Sequence, residues 1–262
     1  MHLNKILETN ENELKAGDLM KLASGEILAI RIPDFVSNNA LSQSKDGLFN
    51  HKDKGFLGHA KEFTRLGIAY AEIENDEVRT AYHEAAIRNI QKVRNLFSPG
   101  ISPIDRLRIL LDDMWSEGAN LLSIDGQKCF VGVCRYLTPG VDLEPHIDSL
   151  EWTLPSGIGW KLKYQLSVNI YLQIPEMGGE LEIWNIIPSN EEYQKLKGSR
   201  HYGINRVDIN NPDVVIKPTL GELIFLNPRF IHAVRPVQKI ERITLSAFIG
   251  IKSFQEPIVY WS

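Results

Sequence analysis

The chain has 262 residues, 43% of them hydrophobic and 24% charged, with a formal net charge of −4. That length and apolar share allow a single domain with a full core, expected here over residues 1–262. The slight acidity offers no electrostatic footprint for nucleic acid, and no apolar run approaches the ~18 residues that would span a membrane.

In chain order, the opening MHLNKILETNENELKAG is mixed and charged, with no apolar leader pattern. A cytoplasmic setting is expected. Glu26–Ile32 (EILAIRI) reads as a strand that stops at Pro33 and extends the main sheet. Residues 56–71 (FLGHAKEFTRLGIAYA) fit neither a helical nor a strand period. Asp76–Phe97 has helical spacing, with Val78, Tyr82, Ala85, Asn89, Val93 and Phe97 near one stripe, and Pro99-Gly100 ends it. A second helix starts at Ser102, a natural N-cap, with Pro103 in its first turn. Its buried stripe is Ile104, Leu107, Leu111 and Trp115. Both helices are expected to brace the major sheet from outside. Cys129 and Cys134 are expected on one strand, facing opposite ways, as free packing thiols.

The second half reads as β. Tyr164–Gln173 (YQLSVNIYLQ) alternates: Leu166, Val168, Ile170 and Leu172 share one face, and Gln165, Ser167, Asn169, Tyr171 and Gln173 the other. One apolar and one polar face suit the wall of a barrel around a polar site. Residues 185–214 are the one long interruption; they contain a helix-like stretch, Asn190–Lys197, and are expected to form a lid, the bland alternative being a disordered surface loop. Arg242–Ile249 alternates again and sets Arg242, Thr244 and Ser246 on a common surface.

The chemistry concentrates in His146-Ile147-Asp148, followed by His232 and then, ten residues later, Arg242. Two histidines and one carboxylate are the ligand set of a non-haem Fe(II) facial triad, which leaves metal positions open for co-substrate and dioxygen. HxD alone is a weak signal, because any surface loop can carry it. With a distal histidine and an arginine on the following strand it is far more specific. A guanidinium fork flanked by the Thr244 and Ser246 hydroxyls matches a carboxylate. His2, His51, His59, His83 and His201 lack ligand spacing and are read as solvated side chains.

These segments resemble, in order, the double-stranded β-helix (jelly-roll) core of the Fe(II)/2-oxoglutarate-dependent oxygenases. Arg135-Tyr136-Leu137-Thr138-Pro139-Gly140 leads into Pro145-His146-Ile147-Asp148. Gly178-Gly179-Glu180-Leu181, Pro218–Phe225, Ile231-His232-Ala233-Val234 and Arg242 follow. The resemblance covers roughly residues 128–250 and implies an α+β, mainly β, jelly roll with N-terminal bracing helices in residues 1–127. It implies Fe(II) on His146, Asp148 and His232, 2-oxoglutarate as co-substrate and O2 as oxidant. The keto-acid would be bound by Arg242 with Thr244 or Ser246, and Asn169 and Arg135 are further candidates; Arg135 would meet either the keto-acid or a substrate carboxylate.

Within that superfamily the chain is most similar to free-standing enzymes that hydroxylate or halogenate amino acids, N-acyl amino acids and alkaloids. In such enzymes the segment ahead of the barrel helps form the substrate pocket, which makes Phe63 and Arg65 substrate candidates, with Tyr171 a third. In the related halogenases glycine or alanine replaces the carboxylate ligand and admits chloride; Asp148 therefore implies hydroxylation of a small molecule. A peptidyl hydroxylase on the same fold and a cupin-like metal-binding module without catalysis are the alternatives.

Overall fold

The computed structural model describes residues 5–50, 54–57, 60–154 and 162–262, with backbone alone at 56–57 and 60–64. Two sheets face each other. The larger runs, edge to edge, through Ile6–Glu8, Ala29–Ile32, Leu223–Leu226, Tyr164–Gln173, Arg242–Ile251, Val133–Leu137, Ala60–Leu66 and Gly55–Leu57. Ile258–Trp261 also pairs with Arg242–Ile251, and Ala119–Leu121 with Ile258–Trp261. The smaller sheet has the order Val214–Ile216, Leu181–Ile183, His232–Val234, Leu143–His146.

The alternation in Tyr164–Gln173 is what separates core from site. Leu166, Val168, Ile170 and Leu172, with Ile243, Leu245 and Ile249 beside them, join one apolar cluster with Tyr82, Ile90, Val93, Leu107 and Leu111 of the two long helices. The opposite face turns toward the smaller sheet, where Tyr171, Ile224 and Leu226 pack with Leu181, Ile183, Ile216 and Val234. The helical stripes share this cluster with the apolar face of the strand, and each leucine-sized side chain contributes about 1.5–3 kcal/mol when fully buried.

The helices have identifiable ends. Asn75 caps Asp76–Asn95 by accepting from the Val78 N–H, and Ser102 caps Pro103–Met114 by accepting from the Asp105 N–H. Arg94 joins the two helices through Asp105, with both guanidinium contacts at 2.8 Å.

Several expectations change. The strand at 26–32 is shorter, Ala29–Ile32, because left-handed Gly25 (φ 79°) ends the helix Ala16–Ser24 and the chain needs residues 26–28 to reach the sheet. Residues 56–71 include the strand Ala60–Leu66, which extends the larger sheet beside Val133–Leu137. Its sequence, AKEFTRL, does not alternate, and the pairing with Val133–Leu137 makes it a strand. Cys129 lies ahead of the strand that holds Cys134; both thiols are free and buried, and burial pushes each up to about 12. No helix among the described residues is long and apolar enough to cross a membrane.

The turn into Leu181–Ile183 depends on Gly178, which has φ 79°. A Cβ there would stand 2.0 Å from the Pro236 carbonyl oxygen. Gly178→Ala is therefore expected to cost at least about 2 kcal/mol, from the left-handed backbone and the clash together. A urea unfolding midpoint equal to that of the unaltered protein would contradict this.

Candidate active site

His146 ends the strand Leu143–His146 and His232 begins the strand His232–Val234; the two residues are direct register partners. Paired residues on antiparallel strands point to the same face, which brings the imidazole centroids within 4.3 Å. Asp148 lies just beyond the strand, its N–H donating to the Pro228 carbonyl at 2.9 Å. Its Oδ2 is 3.6 Å from His232 Nε2 and 3.9 Å from His146 Nε2. One ligand atom from each of the three lies within 4.8 Å of the others, so the group can hold a metal ion.

The histidines are oriented by backbone acceptors. His146 Nδ1 is 2.7 Å from the Glu144 carbonyl and His232 Nδ1 is 3.1 Å from the Phe230 carbonyl. A carbonyl only accepts, so each Nδ1 must carry the proton. Each Nε2 is then left with its lone pair for the shared centre.

Burial, and then the neighbouring His232, lowers the His146 pKa from 6.5 to about 4. For Asp148, burial opposes ionisation, but the surroundings of His232, His146 and Arg135 outweigh it and hold the carboxyl well below the usual range. A neutral imidazole and an ionised carboxylate are the metal-binding forms.

The same shift sets an acid limit. The folded chain protonates His146 at lower pH than the unfolded chain does, so its contribution is fully present above about pH 6.5 and lost as pH falls toward 4. Metal-free protein is expected to show a falling Tm across that window; a Tm unchanged between pH 7 and pH 5 would count against the burial of a neutral His146.

The larger sheet supplies the facing wall. Thr244 pairs with both Arg135 and Tyr171, and Ser246 pairs with both Val133 and Asn169. Arg135, Thr244 and Tyr171 therefore form one inward row, and Asn169 and Ser246 belong to the next. Arg135, Asn169, Arg242, Thr244 and Ser246 line a narrow cavity of about 50 Å³ together with the triad. Arg242 is 6% exposed, so the face that it shares with Thr244 and Ser246 is buried. Its Nη2 donates to the Tyr171 hydroxyl at 3.2 Å, and its guanidinium stands 4.8 Å from the centre of that ring. Ser246 donates to Asn169 Oδ1 at 2.7 Å.

The donor set fits the groups it would hold. The Nε atoms of Arg242 and Arg135 are both buried with no hydrogen-bond partner. Two guanidinium groups with unpaired donors, beside a cluster that can hold a divalent cation, suit a dianionic keto-acid that chelates the metal at one end and reaches an arginine at the other.

Other sequence candidates fall differently. Tyr171 belongs with Arg242 through its hydroxyl, on the wall beside the triad. Arg65 is in register with Arg135, but its Nε donates to the buried Glu72 at 2.7 Å, so its charge is already matched within the fold. Phe63 is on the strand Ala60–Leu66, and its side chain lies outside the described residues; His2, His51 and His59 lie outside them altogether. Ser167 and Phe248 also line the cavity, and the period of two that found Asn169 and Ser246 reaches them as well. Ser262 lines it too, its Oγ donating to the Ser246 carbonyl at 2.6 Å. No motif marks it, because it arrives through pairing of Ile258–Trp261 with the Arg242 strand.

The interruption at 185–214 has its own structure. It contains the helix Asn190–Lys197, at the bounds read from the sequence, capped by Ser189. Tyr193 and Ile204 pack with Ile147, Trp184 and Ile231 in a small separate core. Arg206 pairs with Asp142 at 2.6 Å and with Glu182, and Arg200 pairs with Glu144. Much of this charge pairing is directed at the strand that carries His146 or at the residues leading into it.

A jelly roll with a metal-competent His-Asp-His cluster between its sheets has the architecture of an Fe(II)/2-oxoglutarate-dependent oxygenase, and this protein is such an enzyme. The model of the carrier-protein-independent halogenase WelO5 family matches residues 6–262, and the chain belongs to that family.

Among curated relatives, the chain is 29% identical over 150 residues to L-isoleucine 3(1)-dioxygenase of Pantoea ananatis (strain AJ13355), a match covering 53% of this chain and 48%, about half, of that protein. It is 27% identical over 227 residues to the leucinostatins biosynthesis cluster protein S of Purpureocillium lilacinum, covering 80% of this chain and 90% of the relative. The fold is shared with an N-substituted L-amino acid dioxygenase from Burkholderia ambifaria AMMD solved with alpha-KG, at TM-score 0.65 and 16% identity over 94% of this chain and 91% of the other. It is also shared with HygX from Streptomyces hygroscopicus, solved with nickel and 2-oxoglutarate, at TM-score 0.53 and 16% identity over 91% and 87%.

Proposed function

We propose that this enzyme hydroxylates an unactivated C–H bond of a small molecule, a free or N-substituted amino acid or a related natural product, with release of succinate and CO2. The observation that carries the reading is Asp148, a carboxylate at the third ligand position within 4.8 Å of ligand atoms from both histidines. The similarity to an isoleucine dioxygenase and an N-substituted amino acid dioxygenase supports the substrate class.

In this reading His146, Asp148 and His232 hold Fe(II), which together with the keto-acid and dioxygen supplies the oxidant. Arg242 receives the distal carboxylate of 2-oxoglutarate with its planar fork, steadied by the Tyr171 ring and by Thr244. Asn169 and Ser246 continue that polar wall. The burial of Arg242 excludes water and strengthens the ion pair. One domain, 1–262, carries the activity, with its catalytic core at 128–250 and the insertion at 185–214 as a cover.

Halogenation is the second reading, favoured by the family to which the chain belongs. Asp148 opposes it physically. Its carboxylate fills a coordination position a halide would need, and its negative charge cancels some of the positive charge that would attract one. The test is a 2-oxoglutarate turnover screen against free and N-acyl amino acids in high chloride, read by mass. Products are expected to gain one oxygen and no chlorine. Chlorinated product from the unaltered enzyme would overturn the hydroxylase reading.

A further inference from the structure

The insertion brings an aromatic side chain to the triad. The Tyr202 ring centroid is 5.3 Å from that of His146, with the planes tilted by 42°. Backbone contacts fix this placement. Gly203 adopts φ +66°, and a Cβ on it would lie 2.6 Å from Glu144 Cβ, so the insertion rests directly on the strand ending in His146. The Ile204 N–H donates to the Pro145 carbonyl at 2.7 Å. Arg206 then ties the next turn to Asp142 at 2.6 Å.

Tyr202 also shares the electrostatic surroundings of the site. Burial pushes its hydroxyl well above the ordinary value, Asp148 pushes it further and Arg135 opposes. The keto-acid cradle, by contrast, is built from the facing sheet, where Arg242 and Tyr171 meet. Tyr202 approaches from the other side, on chain that belongs to neither sheet.

We propose that Tyr202 is a specificity-determining residue, forming the wall of the substrate compartment on the His146 side and holding the small molecule over the metal centre. An aromatic side chain beside His146 and a cation, Arg135, in the cavity of the triad are a combination suited to an amino acid with an apolar side chain. The inference rests on the oxygenase reading above and adds to it a role for the insertion.

The test uses the full chain loaded with Fe(II) and 2-oxoglutarate and exposed to oxygen without substrate. With no substrate in the compartment, the wall is what the oxidant meets. One oxygen atom of O2 should enter the Tyr202 ring and the other should appear in succinate as the keto-acid loses CO2. Peptide mass mapping is expected to find the added oxygen on Tyr202. Tyr202→Ala should lose that label while keeping 2-oxoglutarate affinity, measured calorimetrically with Ni(II), within about twofold of the unaltered chain. Tyr202→Phe keeps the wall and should accept oxygen at the same position, which covers the case of an alanine variant that fails to fold.

Oxygen found elsewhere with Tyr202 intact would overturn the inference. So would a tenfold loss of keto-acid affinity in Tyr202→Ala, which would put the residue in the co-substrate cradle. Absence of any succinate from the unaltered chain would instead overturn the oxygenase-site reading itself.

Discussion

His146→Ala and Asp148→Ala are each expected to lose most Fe(II) affinity and to reduce turnover by more than about a hundredfold, since even groups that only support metal ligands contribute 10–100-fold. Each variant should still fold. The His146 ring hydrogen-bonds to the Glu144 carbonyl, and the Asp148 side chain is 30% exposed. The apolar clusters that carry most of the burial contain neither residue. Metal titration followed by circular dichroism separates lost binding from lost fold. Full activity in either folded variant would remove the triad assignment. Asp148→Gly should likewise abolish hydroxylation; the position it opens is the one a halide would occupy.

Arg242→Lys keeps the charge and removes the planar fork. The Lys ammonium is a compact point charge that cannot form two parallel hydrogen bonds to a carboxylate or stack on the Tyr171 ring in the same way. The KM for 2-oxoglutarate is expected to rise by about tenfold or more, in line with the strength of charge-assisted bidentate contacts. The kcat should change less at saturating keto-acid. Anaerobic titration of the Fe(II) protein with 2-oxoglutarate measures the binding step directly. Normal binding by the Lys variant would mean that another cation holds the keto-acid, and Arg135, in the same cavity with its own unpaired Nε, would be the first to substitute.

Glu144 shows how a residue beside a motif can mislead. It precedes Pro145 and carries no motif of its own, yet its carbonyl orients His146 and its carboxylate receives Arg200 of the insertion. Arg65 shows the converse. It is a cation ahead of the barrel, in the segment expected to face substrate, but Glu72 lies seven positions on and pairs with it. Neither partnership follows from periodicity.

What the sequence determined by itself was local and periodic. A period of two in Tyr164–Gln173 and Arg242–Ile249 already separates the faces that become core and cavity, because alternate side chains on a strand must point to opposite sides. The caps at Ser102 and the stripe Ile104, Leu107, Leu111, Trp115 place a helix for equally local reasons. The residue types at 146, 148 and 232 point to a metal site, because few side chains bind Fe(II). Tertiary structure alone decided what depends on pairing between distant segments. The register of His146 with His232 makes one site of two motifs. The row of Arg135, Thr244 and Tyr171 comes from three strands brought side by side. Ser262 enters the cavity on a fourth, and Tyr202 reaches His146 through an insertion seated on Gly203. Such contacts join residues far apart in the chain, and only the closed sheets bring them together.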